Sequence, residues 1–183
     1  LNLCEGQNLD LLLERKLEVD TEEYFYMIQR KTAALFQAST HMGAILSGAT
    51  KVSAGYFKDF GLKLGTAFQV QDDILGIWGE RERTGKPVSD DILNKKKSLP
   101  LVFSLKAEKA RGLETLRYIY SSDKIQTEQV PQVMEILDRY RAKEYCLSKI
   151  NYFYEESLAS LRATGLGSPL LKKLENLSKL CLG

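Results

Sequence analysis

The chain has 183 residues, 44% of them apolar and 27% charged, with a net charge of +2. That is enough material for a packed core, the composition is neither disordered nor fibrous, and so small a charge gives no broad basic field for nucleic acid. No run nears the roughly 18 apolar residues of a membrane span, and no charged leader with an apolar core opens the chain. Cys4, Cys146 and Cys181 are odd in number, far apart and without metal-ligand spacing. They read as reduced thiols, and the expected location is the cytoplasm. The one histidine, His41, cannot build a His-rich metal site and reads as a structural or rim residue.

The opening Leu1-Asn2-Leu3-Cys4-Glu5-Gly6-Gln7 reads like the inside of something, so the chain is expected to begin mid-protein. Leu9 to Leu17 is an apolar run with charges on one side, a helix. Asp20-Thr21-Glu22-Glu23 is a helix start, a capping residue followed by acids that suit the positive end of the helix dipole. The helix it opens is predicted to run from about Glu22 to Gly48. Its first half is aromatic. Its second half carries Ala33, Ala34, Ala38, Ser39, Gly43, Ala44, Ser47 and Gly48, a small face that admits either a second helix or an elongated ligand. Lys31-Thr32 places a cation and a hydroxyl among apolar neighbours; taken alone, the lysine is a snorkelling surface residue.

A second long helix is predicted from Ser53 to Trp78, with apolar residues recurring at Tyr56, Phe57, Phe60, Leu64, Phe68, Leu75 and Ile77. Gln69, Asp72 and Asp73 lie three and four residues apart on it and share a face. Gly79 to Asn94 is polar and reads as a long loop holding Gly85-Lys86-Pro87 and Asp90-Asp91. Lys95-Lys96-Lys97 closes it. Ser98-Leu99-Pro100 opens a helix to about Glu108, with proline in the first turn. Gly112 to Tyr120 and Gln126 to Ala163 are helical, the latter broken only near Pro131. After a turn at Thr164 to Pro169, Leu170 to Leu180 is a last amphipathic helix. No alternating pattern or hairpin signal appears. The reading is a single all-α domain, a bundle of about seven helices.

The polar outliers form a set. Gln69, Asp72 and Asp73 are on one helix and Lys31 and Thr32 on the one before; Lys86, Asp91 and the lysine run follow. Buried carboxylates are costly unless paired or bound to a metal. Mg²⁺ takes one or two carboxylates, waters and substrate phosphates, and lysines supply charge to the same phosphates. With apolar and aromatic walls beside it, the set suits a diphosphate head on a hydrocarbon tail. A nucleotide fits less well, since there is no phosphate-binding Gly-rich loop ending in Gly-Lys-Ser/Thr. The plain alternative for Asp72-Asp73 is an acidic pair at a solvated helix end.

Across residues 5 to 105 the chain resembles the C-terminal half to two-thirds of a trans-isoprenyl diphosphate synthase (polyprenyl synthetase). The resemblance rests on Glu5-Gly6-Gln7-Asn8-Leu9-Asp10-Leu11 and on Lys31-Thr32-Ala33-Ala34-Leu35-Phe36. It continues through Gly61 to Leu75, including Phe68-Gln69-Val70-Gln71-Asp72-Asp73, then Gly85-Lys86-Pro87, Asp91-Ile92 and Lys96-Lys97-Ser98-Leu99-Pro100. It implies a helical bundle of the isoprenoid synthase type and head-to-tail prenyl transfer, in which an allylic diphosphate ionises with Mg²⁺ help and alkylates isopentenyl diphosphate. By that resemblance Asp72 and Asp73 bind Mg²⁺, and Lys31 and Lys86 contact the allylic diphosphate. Gln69 and Thr32 lie near the reacting centre and Phe68 walls the isopentenyl side. Gln7 is a polar contact, Asp10 is structural, and the enzyme is expected to be a homodimer.

Two departures stand out. The family's second aspartate-rich motif runs Asp-Asp-x-x-Asp, and its last position here is Gly76. Its first aspartate-rich motif is absent, so the N-terminal helices are expected to be missing and this chain alone to be incomplete. A non-catalytic fragment or subunit that offers a helical surface to a partner is the second reading. A terpene cyclase of the same fold is the third, and Lys31-Thr32 and Phe68-Gln69 speak against it.

Overall fold

A computed structural model describes residues 1–16, 18–79 and 89–183. Every described element is helical, and no strand occurs among the described residues. The order is α1 (Asn2–Arg15), α2 (Thr21–Ile28), a π-helical turn (Gln29–Ala33), α3 (Ala34–Leu46), α4 (Lys51–Trp78), α5 (Asp90–Leu93), α6 (Leu99–Lys109), α7 (Thr115–Ser121), a short 3₁₀ turn (Thr127–Gln129), α8 (Val130–Arg139), α9 (Ala142–Arg162) and α10 (Ser168–Leu182). The all-α expectation holds, with more and shorter helices than seven.

Local chemistry sets the boundaries. Asp20 Oδ1 accepts the backbone N–H groups of Glu22 and Glu23, both at 2.8 Å, and Glu23 Oε2 accepts the N–H of Asp20 at 3.2 Å. This reciprocal cap starts α2 where the sequence places it. The predicted helix over 22–48 is present from Thr21 to Leu46 and contains a π-helical turn at Gln29–Ala33. The predicted stretch over 126–163 is broken at Arg141, which takes a positive φ of 55°. No glycine or proline marks that break, which is why periodicity runs through it. Within the stretch read as a loop, Asp90–Leu93 forms a turn of helix, entered through Ser89 at φ 62°.

The chain divides into two compact units, each assembled from separate segments. The first comprises residues 1–7, 28–69 and 149–183. Its core is Phe60, Leu64, Leu158 and Leu161, flanked by Phe36, Phe57, Tyr154, Leu171 and Leu174. Close packing is made by two glycines of α4 against Ala33, Phe36 and Thr40. A Cβ on Gly61 would run into Thr40 Oγ1 and the carbonyl of Phe36, and one on Gly65 into Ala33 and the Phe36 ring. The Thr40 hydroxyl lies 2.7 Å from the carbonyl of Phe57 and 2.9 Å from that of Phe36. Of the small residues of α3, Ser39, Gly43, Ala44 and Ser47 line a groove of about 440 Å³ with Phe57, Phe60 and Leu174. Lys63 on α4 reaches Glu156 at 3.3 Å and Ser160 at 3.0 Å on α9.

The second unit comprises residues 8–27 and 70–148. Its core gathers Ile77, Ile92, Leu101, Leu116, Ile119, Val133, Ile136 and Leu137. Two buried carboxylates serve as remote helix caps in it. Asp73 accepts the N–H of Leu99, the first residue of α6, at 2.8 Å, and Glu108 accepts the N–H of Leu116, in the first turn of α7, at 2.7 Å. Each places a negative charge at a helix N-terminus and satisfies an N–H that the helix itself cannot. The cysteines are unbridged, and burial, with Asp73 nearby, pushes the Cys146 thiol far above the ordinary range.

Candidate active site

Two groups of site residues stand out, one in each unit. In the first unit, the π turn carries Lys31 and Thr32. A π turn widens the helix by one residue per hydrogen-bonded ring and frequently marks a functional position. The Thr32 hydroxyl donates to Gln69 Oε1 at 2.5 Å, which fixes the orientation of the amide. One residue before Gln69, the Phe68 ring meets Phe36 at 5.2 Å between centroids with a tilt of 40°. Phe68 remains 37% exposed, much for a large apolar side chain. Gly6 on α1 is buried against the π turn, and a Cβ there would collide with the backbone of Arg30 and Lys31. Glu5 reaches Arg30 Nε at 3.1 Å. The Glu5-Gly6 pair therefore seats the turn that carries Lys31. Gln7 is exposed and Asp10 buried.

In the second unit, Asp72 and Asp73 are neighbours on α4 with opposite fates. Adjacent helical residues point about 100° apart. The Asp73 side chain is 1% exposed and that of Asp72 is 49% exposed. Asp73 Oδ2 accepts from the Tyr24 hydroxyl at 2.6 Å and from the Leu99 N–H at 2.8 Å, and its Oδ1 lies 3.4 Å from Lys96 Nζ. Lys96 also reaches Asp91 at 3.0 Å and Asp72 at 3.8 Å. Burial alone would depress the Lys96 ammonium; the carboxylates of Asp73 and Asp91 outweigh it and hold Lys96 above the ordinary lysine range. Burial, reinforced by Asp73, raises the Tyr24 phenol well above its usual value, so it stays a hydrogen-bond donor.

Gln69 and Thr32 are thus brought together, as are Asp72 and Asp73 with Asp91. Lys86 lies outside the described residues. The pairing of Lys96 with the three carboxylates, Tyr24 and the capping role of Asp73 are what sequence reasoning missed. The lysine run was the available signal for Lys96, whereas Tyr24 sits 49 positions from Asp73 and gave none. Among the described residues no three His, Cys, Asp or Glu side chains form a group that could hold a metal by themselves. Asp72 could hold a hard cation: it is a half-exposed carboxylate at the edge of the group of carboxylates around Lys96, suited to a site completed by waters and phosphate oxygens. Asp73 fits less well than expected, because its oxygens already serve Tyr24, Leu99 and Lys96.

The polyprenyl synthetase family model matches residues 1–137. The chain belongs to the polyprenyl synthetase family. Over 145 residues this family member is 39% identical to the short chain isoprenyl diphosphate synthase of Methanothermobacter thermautotrophicus, a match over 79% of this chain and 44% of that protein. It is 28% identical to a polyprenyl synthetase from Streptomyces coelicolor, with a TM-score of 0.90 over 98% of this chain and 55% of that one. It is 25% identical to a geranylgeranyl pyrophosphate synthase from Corynebacterium glutamicum, whose crystal structure is complexed with isoprenyl diphosphate and magnesium; the TM-score is 0.89, over 99% of this chain and 52% of that one. The chain therefore spans about half the length of these relatives. No helix among the described residues is long and apolar enough to cross a membrane.

Proposed function

We propose that this chain carries the second acidic half of the site of a prenyltransferase that condenses an allylic diphosphate with isopentenyl diphosphate, head to tail, with Mg²⁺ as cofactor. The observation that carries the reading is the family match over residues 1–137, which include Lys31-Thr32, Gln69 and Asp72-Asp73. The Corynebacterium glutamicum relative holds isoprenyl diphosphate and magnesium, which supports the same ligands here.

On this reading Asp72 holds the metal and Asp73 holds α4, α6 and Tyr24 in place. Mg²⁺ held by Asp72 would supply charge neutralisation to a departing diphosphate. Lys31 and Lys86 contribute positive charge to the same diphosphate oxygens. Gln69, its amide fixed by Thr32, orients the reacting end, and Phe68 supplies an aromatic wall. The C–O bond of the allylic diphosphate breaks with its electrons going to the diphosphate. The isopentenyl double bond attacks the resulting allylic carbon, and a proton then passes to the departed diphosphate.

Isothermal titration of the chain with dimethylallyl diphosphate, with and without Mg²⁺ and beside Asp72→Ala, tests this. Mg²⁺-dependent binding that disappears in Asp72→Ala is expected. Binding indifferent to Mg²⁺, or unchanged in the variant, overturns the assignment.

A further inference from the structure

Gly76 stands four residues after Asp72 and three after Asp73 on α4, so a side chain there would extend the acidic face of the helix by one turn. That space is taken. A Cβ on Gly76 would run into the carboxylate of Asp91, whose Cγ and both oxygens crowd the position. Asp91 comes from α5, and its side chain is 6% exposed. Of the three carboxylates around Lys96, Asp91 is the nearest at 3.0 Å, Asp73 follows at 3.4 Å, and Asp72 is the farthest at 3.8 Å. Three carboxylates around one ammonium leave two negative charges, a match for a divalent cation. The ammonium is drawn toward the two buried acids and away from the half-exposed one.

We propose that Asp91 is a positioning residue that delivers, from α5, the third acidic charge that α4 lacks at Gly76. It does so by holding Lys96 on the buried side and leaving Asp72 to the cation. The inference rests on the proposed function. Its rival is plain: Asp91 is only a buried partner for Lys96, and its place over Gly76 is packing.

Relocating the acid separates the two. Mg²⁺-dependent binding of dimethylallyl diphosphate is measured by titration calorimetry for the unaltered chain, Asp91→Gly, and Asp91→Gly combined with Gly76→Asp. Loss of a group that orients a metal ligand typically costs about 10- to 100-fold in affinity. Asp91→Gly is expected to fall in that range and the double variant to recover most of it, because the charge returns to the same place from the other helix. Asp91→Asn keeps the shape and removes the charge; it is expected to show the same loss, and it stands in where circular dichroism shows Asp91→Gly unfolded. A ligand-free arm tests the seat itself: Gly76→Ala lowers the melting temperature of the unaltered chain and not that of Asp91→Gly. Unchanged affinity in Asp91→Asn, or a double variant as weak as Asp91→Gly, overturns the inference and leaves the proposed function standing. Absence of Mg²⁺-dependent binding in the unaltered chain overturns both.

Discussion

The Tyr24 hydroxyl donates to Asp73 Oδ2 at 2.6 Å, joining a helix near the start of the chain to the acidic pair of α4. The same oxygen accepts the first N–H of α6. Removing a buried, multiply bonded carboxylate strands its partners, so Asp73→Ala is expected to destabilise the fold by about 3 kcal/mol or more. Asp72→Ala, at a half-exposed position, is expected to stay within about 0.5 kcal/mol. Urea unfolding of the two variants side by side checks the contrast. Equal losses would mean that the neighbouring aspartates do not divide structural and ligand-facing roles.

This division also marks how far the sequence could be read. Helix type and most boundaries were legible, because apolar periodicity and the Asp20 cap are local signals. Lys31-Thr32, Gln69 and Asp72-Asp73 stood out in the sequence as a polar set because their residue types suit one chemistry, whereas Glu5-Gly6 and Phe68 entered only through the family resemblance. Which aspartate faces solvent was not legible. That depends on Tyr24 and Leu99 arriving from elements distant in the chain. The turn of helix at Asp90–Leu93 was missed because four residues are too few to show a period, and the break at Arg141 because no breaker residue announces it.

Lys97 makes stability depend on pH. It is buried, with its Nζ 5.0 Å from the Tyr120 ring centroid. Burial and then Lys95 lower its pKa to about 8. An unfolded lysine keeps its proton to about pH 10.4. Between about pH 8 and that value the unfolded chain holds a proton that the folded chain has released, so this residue's contribution to stability rises with pH. Below the window, folding carries the cost of burying the ammonium. Lys97→Met is therefore expected to stabilise the chain at pH 7 by up to about 3 kcal/mol, with the gain shrinking as the pH approaches 10.4. Denaturant unfolding of both chains at pH 7, 8, 9 and 10 reads the difference, in which the other titrating groups cancel. A gain independent of pH would contradict the assignment.

The glycines within α3 and α4 of the first unit divide into two sorts. Gly61 and Gly65 have backbone or ring atoms where a Cβ would go, whereas Gly43 and Gly55 have nothing within 4 Å. Gly61→Ala and Gly65→Ala are expected to destabilise by roughly 1–3 kcal/mol through overpacking. Gly43→Ala and Gly55→Ala are expected to stabilise by about 0.5–1 kcal/mol, because alanine loses less backbone entropy within a helix. Melting temperatures of the four variants check the sign at each position.

The π turn at Gln29–Ala33 is also a register device. A helix that accepts one extra residue without losing its flanks rotates everything beyond the insertion by about 100°. Deleting a single residue from the turn would restore an ordinary helix while turning Thr32 away from Gln69, and Phe36 and Thr40 of α3 away from Gly61 and Gly65. The phase of α3 relative to the Gly6 seat of the turn thus hangs on one residue of length.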